Sequence, residues 1–233
     1  MQAPDGLFAG FFPPQKICIV GAGHFGYLAA QRLSRRFPEA SFLVADQRKE
    51  KLERIERDFG LPVFAEDILA FPENPWVDDG TWIIPAVPIH FAFQWVLNDL
   101  KKTGRVERLP MPETVEAQIP NPYRAANGSL CASFATFICP DYCNEPDEIC
   151  TYTKSPRQGN LFEELAKIKV PGFDTIVVRS WQLAPGVGGY PQDCLKKVSE
   201  KIAENTEGYY LIATSCRCHG VIDALKWQGA HDH

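Results

Sequence analysis

Short apolar runs and helix-spaced apolar residues take turns along most of the chain. "KICIV" (Lys16 to Val20) is a β-branched run ending on a glycine cluster, and "FGYLAAQRLSRRF" after it repeats apolar residues at helical spacing. The pattern predicts a strand, a tight turn and a helix. "SFLVAD" reads as a second strand, "KEKLERIERDF" as a charged amphipathic helix, "LPVFAED" as a third strand and "GTWIIPAV" as a fourth. "PIHFAFQWVLNDLKKTG" predicts a helix with Pro88 at its first position, where the missing N–H costs nothing, and with Lys101, Lys102 and Gly104 marking its end. Residues 105–127 are proline-rich and weakly periodic, which predicts an irregular excursion or a short strand pair and a place where a domain boundary could hide. Beyond it "LCASFATFI", "FDTIVVRS" and "YYLIATS" read as strands, and "NLFEELAKI", "PQDCLKKVSEKIAENTEG" and "GVIDALKW" as helices.

This alternation predicts the α/β class: a doubly wound, mainly parallel Rossmann-like sheet of about seven strands, because helices on both faces bury a parallel sheet most economically. Residues 1–233 are expected to form a single α/β domain. Its dinucleotide-binding half would be 16–104, and its cysteine-rich half, carrying an insertion, 128–233.

Composition narrows the function. With 45% hydrophobic and 23% charged residues the chain can bury a sizeable core, so disorder is excluded. A formal charge of −5 gives no general basic field, which argues against nucleic acid and anionic membrane surfaces and for a small-molecule substrate. The Phe-rich N-terminus lacks a basic flank and a small-residue cleavage site, and no run approaches membrane-spanning length. A cytoplasmic protein is expected, with homo-oligomerisation left open.

"GAGHFG" places Gly21, Gly23 and Gly26 between the first strand and the first helix. Gly21 would permit the tight turn, Gly23 would let the backbone approach a pyrophosphate, and Gly26 would allow close helix-to-strand packing. His24, inside the loop, would lie near the phosphates. Asp46, at the end of the second strand, can accept hydrogen bonds from both ribose hydroxyls and would repel a 2′-phosphate, which favours NAD over NADP even with Arg48 close by. An S-adenosylmethionine site is the rival reading of the same features.

On "KICIVGAGHFG", "VADQRKEKLERI" and "LPVFAED", residues 16 to about 100 resemble the NAD-binding regulatory domain of bacterial potassium-uptake systems. More loosely they are similar to Rossmann dehydrogenase domains of the precorrin-2 dehydrogenase type. The resemblance implies adenine and ribose contacts near Asp46 and at Asp67, after the third strand. It does not extend to the cysteine-rich half.

Eight cysteines in a reducing compartment point to metal binding or thiol chemistry rather than disulfides. Cys18, Cys131 and Cys194 fall in apolar elements and read as small buried hydrophobes. The other five stand apart. Cys139, Cys143 and Cys150 have C-x3-C-x6-C spacing, and "CRCHG" adds Cys216 and Cys218. Both groups follow predicted parallel strands, so their loops are expected at the edge that carries the glycine loop. Four thiolates suit an iron–sulfur cluster, which accepts irregular spacing. Zinc is the alternative, although its usual paired knuckles fit this spacing poorly. The expected ligands are Cys139, Cys143, Cys150 and one of Cys216 and Cys218, with Cys218 preferred for its freedom to project from the turn.

"RSWQLAPGVGGYP" follows another strand and offers Arg179, Gln182, Gly186, Gly188 and Gly189 as an anion cradle or lid for the substrate. Lys154 and Arg157 are further candidate anion binders, His219 is a candidate metal ligand or proton shuttle, and His90 is a weaker candidate; the alternative readings are a solvated charge pair and satisfied polar side chains. No catalytic acid or base stands out. These features together predict an NAD-linked oxidoreductase whose cysteine-held centre acts on a small molecule. The alternatives are a non-catalytic NAD(H) or redox sensor, and a cluster-dependent biosynthetic enzyme using another nucleotide.

Overall fold

The structure is a computed structural model that describes residues 11–67 and 74–230. Among these residues the fold is mixed α/β, with two mixed sheets of six strands each, five α-helices and one 3-10 helix. The first sheet takes up the N-terminal alternation. It contains β1 (Lys16–Val20), β2 (Ser41–Asp46), β3 (Val63–Ala65) and β4 (Thr81–Pro85), in the order β3-β2-β1-β4 and mutually parallel. Helices α1 (His24–Arg36) and α2 (Lys49–Phe59) cover one face. Helix α3 (Phe91–Leu100) begins three residues beyond Pro88, with His90 as its N-cap.

The single sheet of about seven strands expected from the sequence is not what forms. "WQLAPGVGGYP" is a hairpin of β9 (Trp181–Ala184) and β10 (Val187–Pro191), and β10 joins the first sheet antiparallel to β4. The second sheet holds β5 (Gly104–Leu109), β6 (Tyr123–Arg124), β7 (Leu130–Ser133), β8 (Phe173–Arg179), β11 (Glu207–Ser215) and β12 (His219–Gly229). "GVIDALKW", expected as a helix, is the centre of β12, which pairs with β11, β7 and β5. A run buried on both faces has no period that separates strand from helix.

Two elements tie the sheets together. α3 and α5 (Gln192–Ala203) lie between them, packing Cys18, Val20 and Ile83 of the first sheet and Ile176, Ile212 and Trp227 of the second into one core. The short α4 (Leu161–Leu165) and the 3-10 helix 113–118 cover the far face of the second sheet through Val115, Leu161 and Leu165. No helix among the described residues is long and apolar enough to cross a membrane.

The glycine turn shows why two of its glycines are needed. Gly21 has φ +101°, and a Cβ there would meet the Ala86 carbonyl oxygen at 2.6 Å. A Cβ on Gly26 would stand 1.8 Å from the Gly21 carbonyl oxygen, so α1 can rest on the turn only with glycine there.

Candidate functional site

The start of α1 and the carboxyl end of β4 on the side of the first sheet, and the carboxyl ends of β8 and β11 in the second sheet, open on one cavity of about 1080 Å³. From the first sheet it is lined by Phe25 of α1, Pro85 of β4, and Gln182, Gly186 and Gly188 of the hairpin. From the second come Ser180, Thr214, Cys216, Cys218 and His219. The long segment between β7 and α4 closes it, contributing Cys139, Cys143, Cys150, Glu145 and Arg157. Expected thiols and expected glycine hairpin therefore meet at one place. They reach it differently from the sequence reading, because β7 ends at Ser133, well before Cys139, and Cys216 and Cys218 lie in the β11–β12 hairpin turn.

Backbone contacts hold the cysteine segment against the first sheet. The Cys143 carbonyl accepts the Gln182 side-chain amide at 2.7 Å and the Gly186 N–H at 2.9 Å. Gly186 has φ +62°, and a Cβ on it would stand 2.2 Å from the Asp141 carbonyl oxygen, so only glycine lets the segment lie so close. Arg32 of α1 donates to the carbonyl oxygens of Asp141 and Pro185. His24 Nε2 is 3.2 Å from the Asp141 carboxylate. The helix that follows the glycine loop is thus fastened directly to the cysteine segment.

None of the eight cysteines, all among the described residues, forms a disulfide. Burial pushes Cys139 up to about 11, and the neighbouring Cys143, Cys218 and Cys150 push in the same direction. Cys218 is raised by burial, partly offset by Arg157, whose guanidinium lies 3.0 Å from its sulfur. Cys150 is lowered by the Thr153 hydroxyl and backbone N–H. Cys143 Sγ accepts the Glu145 N–H at 3.4 Å and lies 3.6 Å from Thr151 Oγ1.

Cys216 is a separate case. Burial and Glu145 raise its thiol far above the usual value, although its sulfur accepts the N–H groups of Cys218 and His219, each at 3.4 Å. The His219 ring stands between two thiols, Nε2 at 3.4 Å from Cys139 Sγ and Nδ1 at 3.9 Å from Cys216 Sγ. Burial, opposed by Glu145 and reinforced by Arg157, lowers His219 and keeps it neutral.

As a donor set, clustered thiols, of which Cys139 and Cys218 are raised, beside a neutral imidazole suit a soft metal, since a cation would offset the charge of the thiolates. The positions are not those of a closed site. Among the described residues no three His, Cys, Asp or Glu side chains come together as metal ligands.

The nucleotide candidates lie beside the cavity rather than in it. Gly23 caps α1 without a side-chain hydrogen bond, and a Cβ there would touch nothing within 4 Å, so the helix start is open to an anion. Asp46 is buried and its carboxylate is already occupied. Oδ2 accepts the Ala22 N–H at 2.7 Å and an Arg48 guanidinium N–H at 3.3 Å, while Oδ1 accepts the Arg48 backbone and Nε N–H groups at 2.9 and 3.1 Å. Burial raises Asp46, but these bonds outweigh it and hold it ionised. A ribose could reach Asp46 only by displacing Arg48. Asp67 lies two residues past β3, exposed at the same edge.

Two expected substrate residues do not line the cavity. Arg179 is packed between rings, 3.4 Å from the Trp181 centroid and 4.4 Å from that of Phe162, and burial lowers it. Gly189 presses on β4, where a Cβ would meet the Ile83 carbonyl oxygen at 2.6 Å. Among the polar cavity residues that the sequence did not single out are Ser180, Thr214 and Glu145. Thr214 sits in a strand that gave no polar signal, and Glu145 lay hidden in an acidic loop.

Comparison with known proteins finds a family model, AF_1314_C, described as "Uncharacterized protein, C-terminal domain", that matches residues 92–228. A protein of Archaeoglobus fulgidus, described as "Uncharacterized protein", is 31% identical over 229 residues, covering 89% of this chain and 98% of the relative. These matches correct the resemblance drawn from the N-terminal motifs. Neither indicates a Rossmann or potassium-uptake regulatory domain, and the family match lies mostly in the half that carried no resemblance.

Proposed function

The chain belongs to the AF_1314_C family, and we propose that it is a cytoplasmic, NAD-linked redox protein whose cysteine-lined cavity holds a metal centre beside the nucleotide. The observation that carries this reading is the cavity itself. Five thiols and His219 line the same space as Phe25, which lies within the GAGHFG stretch at the start of α1, and Pro85, at the end of β4. The parallel order β3-β2-β1-β4, with the glycine turn after β1, supports a doubly wound dinucleotide site in that sheet.

The residues that would hold the centre are Cys139 and the three cysteines whose thiols influence it, Cys143, Cys150 and Cys218, with Cys216 as the alternative to Cys218. The irregular spacing keeps an iron–sulfur cluster ahead of zinc. Such a centre would supply electron transfer or polarise a small anionic substrate. Arg157 would offset thiolate charge at Cys218, and Gln182 and Gly186 would fix the Cys143 backbone.

Calorimetry is expected to show NAD binding. Asp46→Ala should weaken it about tenfold or more, the scale of losing a hydrogen bond to a charged group. Arg48→Ala should act in the opposite direction by freeing the carboxylate for the ribose. Unchanged NAD affinity in Asp46→Ala, or binding of S-adenosylmethionine without NAD, would remove the nucleotide assignment.

A specific contact favours a second reading, the redox sensor. The His24–Asp141 pair and the Arg32 bond to the Asp141 carbonyl join the glycine helix to the cysteine segment. A phosphate at the start of α1 would compete with the Asp141 carboxylate and so disturb the thiols. Turnover of NADH with an artificial acceptor supports the enzyme, and binding without turnover supports the sensor.

A further inference from the structure

A second constellation touches the same cavity and has no part in the redox reading. Thr214, one residue before the end of β11, lines the cavity. Its Oγ1 lies 2.9 Å from His90 Nε2, and His90 Nδ1 lies 2.8 Å from Asp223 Oδ2. The Asp223 side chain, on β12, is 2% exposed. Its carboxylate also accepts the Ser129 hydroxyl at 2.8 Å and the Arg108 guanidinium from β5. The Phe93 ring stacks on His90 from α3, 5.8 Å between centroids.

These bonds assign the protons. An ionised carboxylate only accepts, so His90 Nδ1 carries a hydrogen; in the neutral ring Nε2 then holds the lone pair, and the Thr214 hydroxyl donates to it. Burial raises Asp223, but the bonds from His90 and Ser129 and the Arg108 charge outweigh it, leaving a fixed anion behind the imidazole. Acid, imidazole and hydroxyl then hold the relative roles of a hydrolase triad, which is recognised by geometry and not by chain order. A purely structural network would account for Asp223 and Ser129, both buried. It does not require the terminal hydroxyl to face a cavity.

We propose that Thr214, His90 and Asp223 form a proton-accepting relay for a small hydroxyl-bearing ligand bound in the cavity. The ligand O–H bond breaks, its proton passes to Thr214 Oγ1, and the Thr214 hydroxyl proton passes to His90 Nε2. The products are a ligand oxyanion and an imidazolium facing the Asp223 carboxylate. No electrons change hands, and the proton returns by the same path. Thr214 touches the ligand, His90 takes the proton, and Asp223 is a positioning residue that orients the ring. Phe134, Phe137 and Pro156 supply apolar walls, and Arg157 supplies a cation for the oxyanion.

The relay rests on the reading of the cavity as a small-molecule site, but it needs neither nucleotide nor metal. Its test is therefore separate from the calorimetry. The full chain is titrated with 4-nitrophenol, whose phenol and phenolate forms differ in absorption, across a pH series. Bound nitrophenol is expected to ionise at least about tenfold more readily than free, one pH unit. Thr214→Val should bind it and lose that shift, and Thr214→Ser should keep it. Three results would overturn the relay: no binding, ordinary ionisation when bound, or an equal shift in Thr214→Val, which would assign the effect to Arg157.

Discussion

Replacing Asp223 by alanine is expected to cost about 3–5 kcal/mol of folding stability, the scale of removing one partner from a buried charge pair. Asp223 is the shared acceptor of Arg108, His90 and Ser129, and its loss leaves the buried His90 and Ser129 and the partly buried Arg108 without their common anion. The denaturant midpoint of the variant reads the effect, and a loss below about 1 kcal/mol, the scale of an exposed pair, would contradict the network. The pH dependence has a fixed sign. The Asp223 carboxyl is lowered in the folded state, so its contribution is complete above the ordinary carboxylate value of about 4. It is lost as the pH falls through the lower folded value. Asp223→Asn, which keeps the volume and loses the charge, should flatten that acid limb.

The second large effect concerns the thiols. Serine at Cys139, Cys143, Cys150 or Cys218 is expected to abolish bound metal, and serine at Cys216 to spare it, measured as metal per chain after purification. The choice follows from position, since Cys143, Cys150 and Cys218 are the thiols that raise Cys139, whereas Cys216 is held by backbone N–H groups and Glu145. With Cys139 at about 11, binding must displace protons at neutral pH, so the apparent affinity should rise as the pH rises. Full metal content in Cys143→Ser would rule out the site as drawn.

The N-terminal elements were legible because each kept one clear period. β1, β2, α1 and α2 lie within a residue or two of the runs that predict them. β12 was not legible, since Val221 to Leu225 is apolar on both faces and its only charge, Asp223, is buried rather than solvated. Reading that run as a helix removed the β11–β12 hairpin, and with it the second sheet and the partner of His90. Arg179 shows a different limit. An arginine beside a glycine-rich turn suggests anion binding, but Trp181 and the distant Phe162 capture its guanidinium in the fold. The acid that ends β2, Asp46, was visible as a residue type, while its saturation by Arg48 depends on a side-chain conformation that no spacing encodes. The grouping of the cysteines was partly legible. Their loops reach the cavity as expected, but through a long irregular segment and a hairpin turn rather than two parallel strand ends.

The most direct test of the shared cavity is anaerobic purification of the full chain, followed by an absorption spectrum and analysis of iron, zinc and acid-labile sulfide. The account predicts iron and sulfide together, with visible absorption that disappears in Cys143→Ser. Zinc without sulfide would keep the ligands and replace the centre. A chain carrying no metal, with all five cavity thiols reactive toward an alkylating reagent, would contradict the account.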